Sequence, residues 1–177
     1  MLTRRQLLGS AGTVATGAAV GIGWPYAASL AETPDLRIQP ARYPLAGGMT
    51  DGLVSLSPNA PPPVLRLRQH RPFEIDVSNA MADYTAMHWH GIRVPNAMDG
   101  VPYLTQIPIG EGETYRYAFT PEDAGTFWYH PHCMTMDQMV KGLTGIMVVE
   151  EAEDPGFDGD LALNLKDFRL DREGRLA

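Results

Sequence analysis

The chain is poor in cysteine. Cys133 is the only one in 177 residues, so no disulfide can close within it. It also lacks a basic excess. The formal net charge of −7 argues against the positive face that nucleic-acid binding requires. After residue 31 it has no long apolar run, which excludes a membrane-spanning helix from the body of the chain. No repeat and no low-complexity stretch occurs, which excludes a solenoid. Glycine and proline, by contrast, are plentiful, at 18 and 15 residues. That density of turn formers suits an all-β domain, and a hydrophobic fraction of 44% is enough for a real core. The length is that of one domain, or one domain and the start of another.

Residues 1–31 read as an export signal and are set apart from the fold. Arg4-Arg5 precedes Leu7-Leu8, a Gly/Ala-rich apolar stretch reaches Trp24, and Ser29-Leu30-Ala31 forms a small-x-small cleavage pattern. The paired arginines resemble a twin-arginine signal. The stretch is broken by Gly9, Gly12, Gly17, Gly21 and Gly23, so it is a poor permanent anchor. Cleavage removes Arg4 and Arg5 and no acid, leaving a charge of −9 on a chain expected in the periplasm without stable membrane insertion.

Period-2 alternation dominates the remainder. Leu65 and Leu67 alternate with Arg66 and Arg68, and Phe73, Ile75 and Val77 alternate with Glu74, Asp76 and Ser78. The turn Gln69–Pro72 between them predicts an antiparallel pair. Further strands are predicted over 36–43, 85–90, 114–119, 125–130, 145–150 and 161–168, with a helical turn inside 134–143. Residues 44–63 read as irregular. Short strands with a turn every ten or so residues predict a Greek-key sandwich or barrel. Asp171-Arg172-Glu173-Gly174 resembles a hairpin turn with no returning strand, as expected of a truncated frame or a fragment.

Apart from His70, every histidine falls in two His-x-His pairs: His88 and His90, and His130 and His132. In a strand, residues two apart share a face about 6.6–6.8 Å apart. Each pair therefore projects together, with Trp89 and Pro131 opposite. Pro131 cannot donate to a central ladder, which predicts a strand end or edge there. Two such pairs brought together present four imidazoles, ligands suited to Zn, Cu, Fe or Ni. Spacing alone does not choose among these metals.

The surrounding residues do narrow the choice. His88-Trp89-His90-Gly91 and Trp128-Tyr129-His130-Pro131-His132 resemble the first two copper motifs of the multicopper oxidases, the family of bacterial laccases and copper-resistance oxidases. Asp99-Gly100-Val101-Pro102, Thr105–Ile109 and Gly142–Ile146 agree as well, so the resemblance covers about residues 36–170. It implies an all-β, cupredoxin-like Greek-key sandwich over 32–155, followed at 156–177 by the start of a connection to another domain. It implies His88 as a ligand of a type 2 copper, and His90, His130 and His132 as ligands of a type 3 pair. It implies dioxygen reduced to water, with electrons drawn from a phenol or a metal ion such as Cu(I) or Mn(II). The other four histidines and the type 1 copper site would lie in a C-terminal domain, so this chain would hold half a trinuclear cluster. Asp99 would orient water and supply protons beside it; its plainer reading is an Asp-Gly turn residue. A copper-binding module without turnover and a copper-free scaffold of the same fold are the alternative functions, the latter opposed by the four histidines.

Other residues read more simply. Met134 follows Cys133 where a type 1 site needs histidine, so Cys133 is expected to be a buried free thiol. Met134, Met136 and Met139 suit Cu(I) by their thioethers, but read better as packing under a short helix. His70 reads as a solvated turn residue. Trp89 and Trp128 read as packing support for the ligand strands, with stacking near the cluster as the alternative.

Overall fold

The computed structural model describes residues 35–153 and 155–177. The predicted export signal lies outside them. Among the described residues eight strands form: β1 (Leu36–Leu45), β2 (Gly48–Ser55), β3 (Leu65–Arg68), β4 (Phe73–Asn79), β5 (Ala86–His90), β6 (Thr114–Phe119), β7 (Gly125–His132) and β8 (Gly145–Glu150). A 3₁₀ turn covers Asn96–Met98, and one short helix, α1, covers Thr135–Val140. None of the described helices is long and apolar enough to cross a membrane.

The strands make two four-stranded sheets, ordered β2-β1-β4-β6 and β3-β8-β7-β5. Alternation decides what lies between them. Ile38, Ile75, Val77, Tyr117 and Phe119 from the first sheet meet Leu65, Leu67, Met87, Trp89, Tyr129, Met147 and Val149 from the second in one buried cluster. Trp89, Tyr117 and Tyr129 are its largest fully buried members. Trp89 stands edge-on to Tyr117, with centroids 5.2 Å apart and an interplanar angle of 85°. The expected cupredoxin-like β-sandwich is the fold that forms.

Three sequence expectations are corrected. Strands β3 and β4 are not an antiparallel pair. β3 runs parallel to β8, whereas β4 pairs with β1 and β6 in the opposite sheet. The intervening turn, with His70 at φ 61°, carries the chain from one sheet to the other. There the Gln69 amide bonds the Glu150 carbonyl and the His70 amide bonds the Pro121 carbonyl. Second, β2 forms where an irregular segment was expected. Its Gly48, Asp51 and Gly52 are weak strand formers, but Ala46 and Gly47 both have positive φ, at 49° and 85°. Two successive positive-φ residues make the primed turn that folds a hairpin back on itself, here onto β1.

Third, 161–168 is not a strand. None of its backbone groups pairs with another backbone among the described residues. Leu161, Leu163 and Leu165 point outward, while Lys166 reaches back to the Met139 carbonyl and the Thr144 hydroxyl. The predicted turn at 171–174 does form, and Leu170 and Leu176 bridge across it.

Burial lowers the Lys166 pKa from 10.5 to about 8. The folded chain then gives up this proton more readily than the unfolded one, whose lysine titrates near 10.4. The unfolded state binds more protons between those values, so stability rises with pH there. Relative to Lys166→Met, the wild-type melting temperature is expected to climb between pH 8 and pH 10. A constant difference across that range would show that Lys166 is not desolvated by docking.

Candidate metal centre

The two histidine pairs sit on neighbouring strands. β5 and β7 are antiparallel in a register that sets His88 opposite His130, His90 opposite Trp128 and Ala86 opposite His132. All six share one face. Met87, Trp89, Tyr129 and Pro131 occupy the other face and are buried. Burial of Trp89 between two histidines is what forces both imidazoles outward.

Pro131 is tolerated for a local reason. Its neighbour across the ladder, Met87, sends its amide to the Tyr117 hydroxyl at 2.9 Å rather than to β7. On the other side, pairing with β8 stops at Tyr129 and Gly145. No partner therefore asks Pro131 for an N–H, as the expected strand end requires.

The four imidazoles form one patch. His88 lies 5.4 Å from His90, 5.1 Å from His130 and 4.7 Å from His132, measured between ring centroids, and is nearly parallel to His132. One ring nitrogen from each of His88, His90 and His130 falls within 4.8 Å of the others. His132 joins the patch through its stack on His88.

Backbone carbonyls set the tautomers. His88 Nδ1 is 2.6 Å from the Asp99 carbonyl, so Nδ1–H donates there and Nε2 keeps the lone pair. His130 Nδ1 is 3.1 Å from the Pro131 carbonyl, which frees its Nε2 likewise. The Gly100 carbonyl hydrogen-bonds His132. This outer layer of carbonyls is the arrangement that orients imidazole ligands in metal sites. His130 Nε2 in turn lies 3.1 Å from His90 Nδ1. Two nitrogens that each bind one ion at about 2.0–2.1 Å stand at about that separation.

The charge state fits as well. Burial, reinforced by the neighbouring histidines against the opposing pull of the Pro131 carbonyl, lowers the His130 pKa to about 4. Burial, with His88 beside it, also lowers that of His132. Both are neutral at pH 7, the form that binds metal.

Asp99 is where the sequence reading placed it, beside the cluster. Its carboxylate comes within 3.5 Å of His88 Nδ1 and is 37% exposed. The closer contact, however, is its backbone carbonyl. Gly100, read from sequence as part of a turn and of a spacer shared with the family, is essential to this approach. Its φ is +74°, and a Cβ there would stand 1.9 Å from the Met87 carbonyl oxygen. The signals there, the Asp-Gly turn and the Asp99-Gly100-Val101-Pro102 spacer, do not reveal what the loop touches.

Two lesser expectations fail. Cys133 is half-buried rather than buried, because the strand ends at His132 and Cys133 and Met134 both adopt positive φ. Met134 and Met136 are 58% and 75% exposed, so they do not pack under α1, and only Met139 of the three is half-buried. The buried residue of α1 is Gln138. Its amide oxygen accepts from Thr85 Oγ1 at 2.8 Å, and its nitrogen donates to the Tyr84 carbonyl.

Sheet sandwich and imidazole patch together define a β-sandwich domain that carries a candidate metal site. Comparison with known proteins makes this specific. The sequence profile of the Multicopper oxidase family matches residues 37–154, and the chain belongs to that family. It is 32% identical to copper resistance protein A of Escherichia coli over 170 residues, 94% of this chain and 28% of that protein. It is 34% identical to the multicopper oxidase MmcO of Mycobacterium tuberculosis over 137 residues, 77% of this chain and 26% of that protein. A multicopper oxidase structure from Pseudomonas thermotolerans superposes with a TM-score of 0.73 at 40% identity, covering 82% of this chain and 36% of that one. The chain thus spans about a third or less of the length of these relatives. Family membership implies copper.

Proposed function

We propose that this chain is the N-terminal cupredoxin-like domain of an exported multicopper oxidase, and that His88, His90, His130 and His132 are copper ligands. His88 serves a type 2 copper, and His90, His130 and His132 serve a type 3 pair. The observation that carries the reading is the convergence of the His90 and His130 nitrogens at 3.1 Å, inside a patch whose other rings are held by carbonyls. Copper bound there supplies the one-electron chemistry by which dioxygen is reduced to water. The chain's own residues orient the ligands and keep them neutral. A C-terminal domain supplies the remaining ligands and the type 1 site, and electrons come from a phenol or a metal ion. The arginine pair at residues 4–5 directs export to the periplasm.

Copper titration of the purified chain, followed by electron paramagnetic resonance, tests this. The expected result is histidine-bound copper, reduced in His88→Ala, with no type 1 signal and no oxygen uptake from the chain alone. Copper content no higher than that of a variant lacking all four histidines would overturn it in favour of a copper-free scaffold. A full-length protein that binds copper at these histidines yet consumes no oxygen would leave a binding module.

Asp99 acts beside the cluster as a proton-supplying and water-orienting acid. Its carbonyl, not its carboxylate, holds His88, so Asp99→Asn is expected to keep its copper. Joined to a domain carrying the other ligands, the variant is expected to lose oxygen uptake by about 100-fold. Parallel losses of copper and activity would instead make Asp99 a purely structural residue.

A further inference from the structure

Three of the four imidazoles rest against a backbone carbonyl: His88 on Asp99, His130 on Pro131 and His132 on Gly100. His90 does not. It ends β5, it is exposed, and the next residue, Gly91, has φ +86°. Among the described residues its polar contact is His130 Nε2, which by the tautomer argument is a lone pair to be shared with metal. Something else must set its ring plane.

Trp128 is in position to do so. The ladder puts it directly across from His90 on the same face. Its indole stacks on His90 with centroids 4.6 Å apart at 28°, and on His130 at 4.3 Å and 30°. The two imidazoles are only 5.4 Å from each other. Rings on opposite faces of an indole would be nearly twice as far apart, so both lie over the same face. Trp128 is 36% exposed, whereas the buried core packing of this strand belongs to Tyr129.

We propose that Trp128 is a positioning residue: a flat platform that holds the His90 and His130 rings so that Nδ1 of one faces Nε2 of the other. It does for His90 what carbonyls do for the other three. A planar aromatic surface can act in this way because offset stacking constrains ring tilt while leaving the edge nitrogens open. The proposal rests on the reading of the patch as a copper site, but the stack can be observed without metal.

The test compares Trp128→Leu and Trp128→Phe with wild type. In the metal-free chain, nuclear magnetic resonance should show the His90 and His130 ring protons shifted upfield. The shift should vanish in the leucine variant and persist, reduced, in the phenylalanine variant. Copper affinity should fall by about 10-fold in Trp128→Leu and be largely restored in Trp128→Phe. Melting curves separate this from lost packing. If both variants lose affinity in proportion to lost stability, or if Trp128→Leu binds copper as tightly as wild type, the proposal is overturned. If wild type takes up no copper, the copper reading fails, and the ring-proton shifts alone decide whether Trp128 orders the imidazoles: unshifted protons overturn it.

Discussion

His130→Ala is expected to lower copper affinity by more than about 100-fold, the largest effect of any single substitution in the patch. Removing a group that only orients a ligand already costs about 10- to 100-fold. His130 is itself a proposed ligand and touches every other part of the site. Its Nε2 faces His90 Nδ1 at 3.1 Å, its ring lies 5.1 Å from His88 and 5.2 Å from His132, and it stacks on Trp128. Alanine leaves His90 Nδ1 with no facing nitrogen and empties a position that is 6% exposed. The fold should survive, because Trp89 and Tyr129 on the other face keep the strands in register. Stability is expected to change by about 1–3 kcal/mol, read from thermal melts. His70→Ala, in a turn far along the chain from either motif, is the control and should keep full copper content. Wild-type affinity in His130→Ala would mean that copper, if bound, is held elsewhere.

The second large effect is expected from Gly100→Ala. The added methyl would stand 1.9 Å from the Met87 carbonyl oxygen, 2.5 Å from its carbon and 3.0 Å from the His88 Cα. All three are backbone atoms, so no flexible side-chain end can swing aside. The loop must move away from β5, and it carries the Asp99 and Gly100 carbonyls with it. His88 and His132 then lose their orienting partners together. Strain at positive φ adds to the clash, for a total of about 3 kcal/mol. That corresponds to a fall in melting temperature on the order of 10 °C, accompanied by weaker copper binding. Gly112→Ala isolates the strain, since its φ is +77° but nothing lies within 4 Å of a Cβ there. Its cost should be only about 1–2 kcal/mol, with copper binding intact. Equal effects of the two substitutions would remove the close approach at Gly100 as a cause.

How much could be read in advance differs from element to element. β6 lies where alternation places it, because it buries one face and period 2 records that directly. β2 was illegible because the primed turn and pairing with β1, rather than its own composition, make it a strand. The apolar alternation at 161–168 misled for the opposite reason. A strand requires a neighbour for its backbone, and no described segment provides one. The partnering of β3 and β4 in different sheets was also beyond local reading, since a turn's sequence does not say which sheet the chain enters next.

The amino-acid sequence alone determined which side chains the candidate site has to offer and the family they belong to. Two His-x-His pairs with Trp89 and Pro131 between them present imidazoles together once they lie in strands, and the flanking residues identified the family. Those properties are local, set by strand periodicity and residue type. The tertiary structure decided what joins the pairs into one site. The register of β5 on β7 set His88 opposite His130, the Asp99-Gly100 loop brought carbonyls to two rings, and Trp128 came beneath two more. Residues up to 44 positions apart meet there, and such meetings depend on the packing of two whole sheets, which no stretch of sequence encodes by itself.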